Sequence, residues 1–313
     1  MDTAENLDAL ADVAWANLGT SVTLAATAQW GEIERRSEHA REISLELGDH
    51  RRWEEVCSNL ALTRVLYGRF ERPEGSLYEP VLEAARQRGL AQSEGWGLSL
   101  WGMNVLFLGD DEALDEVTAQ LEPWYERDAS TADDIARLEV VSLQLTVANR
   151  RCDAAQAQRW SDEGFAIVTG LGRPTQYRAL PACSLFTEAL IDWWRAAPDE
   201  REARTRFVRV KRLLKELQTF AGIFPIGRPR LAWLRGRVAW YQGARDKALT
   251  AWREAHESAF ELEMAWDAML SAAALAALLP ADDPERARFA AASEELAGEM
   301  GTSPLPWIPG SAD

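Results

Sequence analysis

The chain reads as an all-α protein, an array of about seven antiparallel helical hairpins. Three observations predict this. Nearly every segment shows helical periodicity and almost none alternates like a strand. Gly, Asp, Asn or Pro punctuates the chain every 15 to 25 residues, and the stretches between are rich in Ala, Leu, Glu and Arg. At 313 residues and 47% hydrophobic, the chain exceeds the size at which one compact core stops growing, which favours two domains or an elongated array.

In order, helices are expected over 4–28, 30–47, 50–67, 74–88, 91–108, 111–127, 131–149, 153–170, 174–197, 199–222, 228–242, 244–262, 264–279 and 284–300. Paired, they give hairpins about 40 residues apart, the range of helical repeats. Residues 29–40, 67–80 and 107–121 each keep a turn glycine. Asp pairs at 110–111, 133–134 and 282–283 open three helices, where a carboxylate caps free N–H groups and opposes the dipole. Pro225, Gly227 and Pro229 break the chain between two hairpins, and Gly243 turns a corner. The whole of 1–300 is read as one solenoid. The three prolines of "GTSPLPWIPGSAD" make 301–313 an extended tail, whose Leu305, Trp307 and Ile308 are expected to cover the last hairpin.

The clearest hairpin is 228–262. Ala248, Trp252, Ala255, Ala259 and Leu262 share one face of its second helix. Gly236, Gly243, Ala248, Trp252 and Ala255 match the spacing of the tetratricopeptide repeat, which the hairpin therefore resembles. The match is partial: Ala232 stands where that pattern has an aromatic residue, and Phe260 where it has a proline. The resemblance implies a right-handed superhelix with a concave groove. The longer runs 40–71 and 224–279 resemble the C-terminal helical-repeat region of bacterial signalling proteins. In these, a class III adenylate/guanylate cyclase or a serine/threonine kinase precedes an NTPase module. Neither a P-loop nor a kinase signature occurs in this sequence, so the resemblance implies a regulatory or interaction module and no activity.

Composition narrows the partners. A formal charge of −16 repels nucleic acid and anionic lipid as a whole. Cys57, Cys152 and Cys183 are few, odd in number and far apart, so neither a disulfide framework nor a zinc site is indicated. No apolar run reaches the length of a membrane span, and the N-terminus lacks a secretory signal. The expectation is a soluble, cytoplasmic, bacterial protein.

No catalytic pattern stands out. His39 and His256 fall on polar helix faces and His50 at a helix start, all read as surface residues. No H-E-x-x-H, G-x-S-x-G or C-x-x-C occurs. "GDDEALDE" (109–116) also resembles an Asp-rich magnesium motif, but no second ligand motif accompanies it. We therefore expect no cofactor, no metal and no enzyme.

Tryptophan and arginine carry the remaining signal. Fourteen tryptophans are many for this length, and most are expected to pack. Trp193 and Trp194 point about 100° apart, so both cannot face one interface. Residues 201–237 hold eleven Arg or Lys against two acids. Two readings stand: compensation by acidic neighbouring hairpins, or a docking patch for an acidic partner. On the second, Arg228, Arg230, Trp233, Arg237 and Trp240 are the expected partner contacts. The leading functional expectation is a non-catalytic interaction and regulatory module. Its groove would hold a peptide or a partner domain, such as a cyclase, kinase or NTPase. A small-molecule or peptide-signal sensor with an aromatic-lined cavity is the alternative, and an enzyme on a helical-repeat scaffold the third.

Overall fold

The computed structural model describes residues 2–173 and 176–303, with side chains from residue 9 onward. Among these are fourteen α-helices, one short 3-10 helix (Ala129–Thr131) and no strand. The helices are α1 (Asp2–Ala25), α2 (Trp30–Glu46), α3 (His50–Tyr67), α4 (Tyr78–Arg88), α5 (Ala91–Leu108), α6 (Asp111–Asp128) and α7 (Asp134–Arg150). They continue with α8 (Ala154–Gly170), α9 (Ala179–Arg195), α10 (Glu200–Ile223), α11 (Gly227–Tyr241), α12 (Arg245–Glu261), α13 (Ala265–Leu278) and α14 (Pro284–Met300). Residues 305, 307 and 308, expected to cover the last hairpin, lie outside the described residues.

Local chemistry sets these ends. Asp49, Asp110, Asp133, Asp153, Asp199 and Asp283 cap α3, α6, α7, α8, α10 and α14, each carboxylate accepting from first-turn backbone N–H groups. All three predicted Asp pairs thus do capping work. Gly68, Gly89, Gly109 and Gly301 end helices in the left-handed conformation that glycine adopts without a Cβ penalty. Ala28, Cys152 and Glu263 take the same positive φ without being glycine, at roughly 1 kcal/mol each. The turn at Ala28 ends α1 three residues earlier than the periodicity predicts. Helix α4 starts later than expected, after the Pro73–Ser76 turn, and α9 after a turn at Tyr177–Arg178.

Burial separates two layers. Helices α5, α7, α11 and α13 are buried on nearly every side, whereas α6, α8, α10 and α12 bury one stripe each. Contacts agree. Sequential helices touch throughout, and α1, α3, α5, α7, α9, α11 and α13 also touch in that order. Helix α13 then returns to touch α3, so six inner helices close on themselves. The closure is apolar and hydrogen-bonded. Phe70, Phe107 and Trp266 form a triad with ring centroids 4.7–5.4 Å apart. The Trp30 indole N–H donates to the Leu262 carbonyl at 2.7 Å. One continuous core extends from Ala25 to Met300.

The middle of the closed set is filled. The space bordered by Val65, Leu66, Phe107, Leu180, Leu185 and Met264 is about 20 Å³, room for one water. A peptide cannot thread through it.

Candidate functional site

The hairpin with repeat-like spacing packs as its sequence predicts. Ala248, Trp252, Ala255 and Ala259 are fully buried, and Gly236 lies against the Trp252 ring. The Trp252 N–H donates to the Trp233 carbonyl at 3.2 Å. Trp233 and Trp240 both flank Trp252, at centroid distances of 5.9 and 6.0 Å. Their seven-residue spacing therefore serves the α11–α12 contact.

The five expected partner contacts do not form one surface. Arg228 is exposed and Trp240 half-buried. Arg230, Trp233 and Arg237 are buried, because α11 is an inner helix. The Arg230 side chain lies 2.7 Å from Asp267 Oδ1 through Nε, and 3.6 Å from Glu188 Oε2 through Nη1. Arg237 reaches Glu188 Oε1 at 3.1 Å and donates to Asp192 Oδ1 at 2.6 Å. Spacing explains the ladder: residues seven apart on α11 and four apart on α9 each share a face. Glu188 bridges both arginines, and the network ties α9, α11 and α13 together. Compensation thus accounts for these two arginines. It also accounts for Arg209, paired with Asp162 on α8, whereas Arg204, Arg206 and Arg212 pair with Glu200, Glu202 and Glu216 on their own helix α10. Arg201, Lys211, Lys215, Arg228 and Arg235 are exposed with no acidic partner within 4.0 Å among the described residues.

Burial and pairing shift the network's protonation. Desolvation pushes the Glu188 and Asp267 carboxyls up, against the pull of their arginines. Burial alone would lower Arg237, but Asp192 and Glu188 overcome it and the guanidinium is held charged.

Beside this network lies a cavity of about 270 Å³, at the C-terminal ends of α5, α7 and α9. Glu188 and Asp192 line one wall, Thr146, Asn149 and Arg150 another, and Phe107 and Trp266 the apolar side. Asn149 donates to the Ala189 carbonyl at 2.8 Å and Arg150 to Asp111 at 2.9 Å, which fixes that wall. Asp192 keeps 42% of its side-chain surface exposed. Three carboxylates (Glu188, Asp192, Asp267) face two guanidiniums (Arg230, Arg237), so the network carries one excess negative charge when all ionise. Periodicity overlooked Glu188 and Asp192. The available signal was two acids, four apart, as the only charges in the mostly apolar run "ALPACSLFTEALIDWW".

Other expected residues fall as follows. Trp193 is buried with the Arg206 guanidinium 4.1 Å above its ring, and Trp194 packs on Phe207 at 4.6 Å. Both pack, on different neighbours. His39 and His50 are exposed. His256 is not a surface residue: it is half-buried, with Nδ1 3.0 Å from the Ala268 carbonyl and its ring edge-on to Phe289. All three cysteines are free thiols, and burial pushes Cys57 and Cys183 up to about 12. Among the described residues, no group of three His, Cys, Asp or Glu side chains is placed to hold a metal ion. No helix there is long and apolar enough to cross a membrane.

Fold and site together define an all-α protein whose helical hairpins close around a filled centre, with an acid-walled cavity at one end. No family model matches the chain, and a search of curated proteins returns no match.

Proposed function

We propose that this protein is a non-catalytic interaction and regulatory module, built as a tetratricopeptide-like right-handed superhelix, that captures a cationic group of its partner. The small-residue packing of Gly236, Ala248, Trp252 and Ala255 supports the repeat reading. The cavity carries the functional one: Asp192 and Glu188 stand side by side next to Trp266, in a network with one more carboxylate than guanidinium. This replaces the acidic partner expected from the arginines, since Arg230 and Arg237 are already engaged. At about 270 Å³ the cavity suits one lysine or arginine side chain rather than a whole peptide. Aromatic faces add cation–π attraction. A cyclase, kinase or NTPase domain presenting such a side chain remains the proposed partner class. The formal charge of −16 favours a basic partner over nucleic acid or anionic membrane.

Closure of the inner helices favours a second reading, a sensor of a small organic cation. Both readings share an alkylammonium or alkylguanidinium head. Calorimetry with an arginine-containing peptide, its citrulline counterpart and free agmatine separates them. Binding of the arginine peptide alone, lost in Asp192→Asn, supports the interaction module. Tight binding of agmatine supports the sensor. No binding of either overturns both.

A further inference from the structure

The N-terminal ends of the same inner helices hold a second polar cluster, across the filled centre from the first cavity. Glu139 on α7 is buried, and neither of its carboxylate oxygens has a hydrogen-bond partner. Facing it is the turn that precedes α9. There Tyr177 and Arg178 are buried, and Arg178 Nη2 also lacks a partner. Arg178 is held in place from two other helices. Its Nη1 lies 3.4 Å from Asn59 Oδ1 on α3, and its guanidinium stacks 4.8 Å above the Trp96 ring on α5. The Tyr177 hydroxyl donates to Asn59 Oδ1 at 3.1 Å. Glu139 and Arg178 attract one another through space, yet no ion pair within 4.0 Å joins them.

Two opposite charges, each buried and each short of a partner, are costly unless something bridges them. A lone anion would satisfy Arg178 and leave Glu139 unpaired. A lone cation would do the reverse. A group with one charge of each sign satisfies both at once. We propose that the interior between α3, α5, α7 and the Tyr177–Arg178 turn binds a small zwitterion of the α-amino-acid class. Its ammonium group donates to Glu139, its carboxylate accepts from Arg178, and its carbon skeleton lies near the Trp96 face. This site is independent of the Asp192 cavity.

The test is a thermal-shift and calorimetry screen of the full chain against free L-amino acids, each beside its N-acetyl and carboxamide derivatives. At least one free amino acid is expected to raise the melting temperature and to change the intrinsic tryptophan fluorescence, a change lost in Trp96→Phe, while both derivatives fail. Glu139→Gln is expected to fold, since it removes an unpaired buried charge, and to weaken that binding at least about tenfold. Arg178→Lys keeps the charge and is expected to weaken it less. Asp192→Asn is expected to leave it unchanged. If no free amino acid binds at millimolar concentration, the proposal fails. It fails equally if the carboxamide or N-acetyl form binds as well as its parent.

Discussion

A Cβ atom on Gly236 would stand 2.3 Å from the Trp252 indole nitrogen, a separation no packed side chain tolerates. The α11–α12 contact therefore depends on a hydrogen atom at Gly236. Gly95 against Trp124 repeats the arrangement between α5 and α6, again at 2.3 Å. Gly236→Ala is expected to destabilise by about 1–3 kcal/mol through overpacking. Chemical denaturation checks this, and adding Trp252→Leu should recover part of the loss. Without that recovery the cost would lie in the backbone rather than in the contact.

Arg237 and Glu188 give a second prediction. Arg237→Met leaves Glu188 with Arg230 alone, 3.6 Å away, inside the core. Breaking a buried pair on one side costs about 3–5 kcal/mol. Arg230→Glu should be at least as damaging, because it sets a carboxylate against Asp267. Arg228→Glu, on an exposed residue, should fall within about 0.5 kcal/mol of the parent. Urea midpoints of the three variants test this ranking, and equal midpoints would remove the network from the stability account.

The helices were legible in the sequence because their ends are written locally. Asp49, Asp153 and Asp199 cap, and Gly68, Gly109 and Gly243 turn. Cys152 and Glu263 perform the glycine role where the sequence already breaks between expected helices, whereas at Ala28 the helical periodicity runs three residues past the observed end of α1. The layer of each helix was less legible. Helix α11 carries four arginines and reads as half polar, yet two of them point inward. Their partners Glu188, Asp192 and Asp267 lie 37 to 49 residues away, beyond any local pattern. Ring closure was invisible for the same reason: Trp30 meets Leu262 across 232 residues.

Glu139 predicts a pH dependence. Burial raises its carboxyl from 4.5 to about 7, Arg178 pulls it down and Asp133 adds a smaller push upward. A carboxyl raised in the folded state stabilises fully below its unfolded value and loses that contribution as pH rises through the folded one. The protein should therefore lose about 3 kcal/mol from this group between about pH 4.5 and 7. Glu188 and Asp267 add in the same direction, and the lowered Glu34 and Asp162 oppose. The difference between parent and Glu139→Gln isolates the effect. The variant should be more stable at pH 8 and no more stable at pH 4, and parallel stability curves would show that Glu139 does not titrate in this range.

Closure of the inner helices sets how damage spreads. In an open array each repeat contacts only its neighbours, so a lesion stays local. Here Trp266 on α13 meets Phe70 after α3 and Phe107 at the end of α5. Gly68 lies so close to the start of α13 that a Cβ there would come within 3.2 Å of the Trp266 backbone nitrogen. Trp266→Ala is expected to cost about 3–5 kcal/mol. Amide exchange should rise not only around residue 266 but also near residues 65–70 and 104–108, far away in sequence. Trp160→Ala, which empties an equally buried site beside Tyr125 on the outer layer, should leave those two segments protected. If Trp266→Ala raises exchange only in α12 to α14, the contact between α13 and α3 contributes no cooperativity and the protein behaves as an open array.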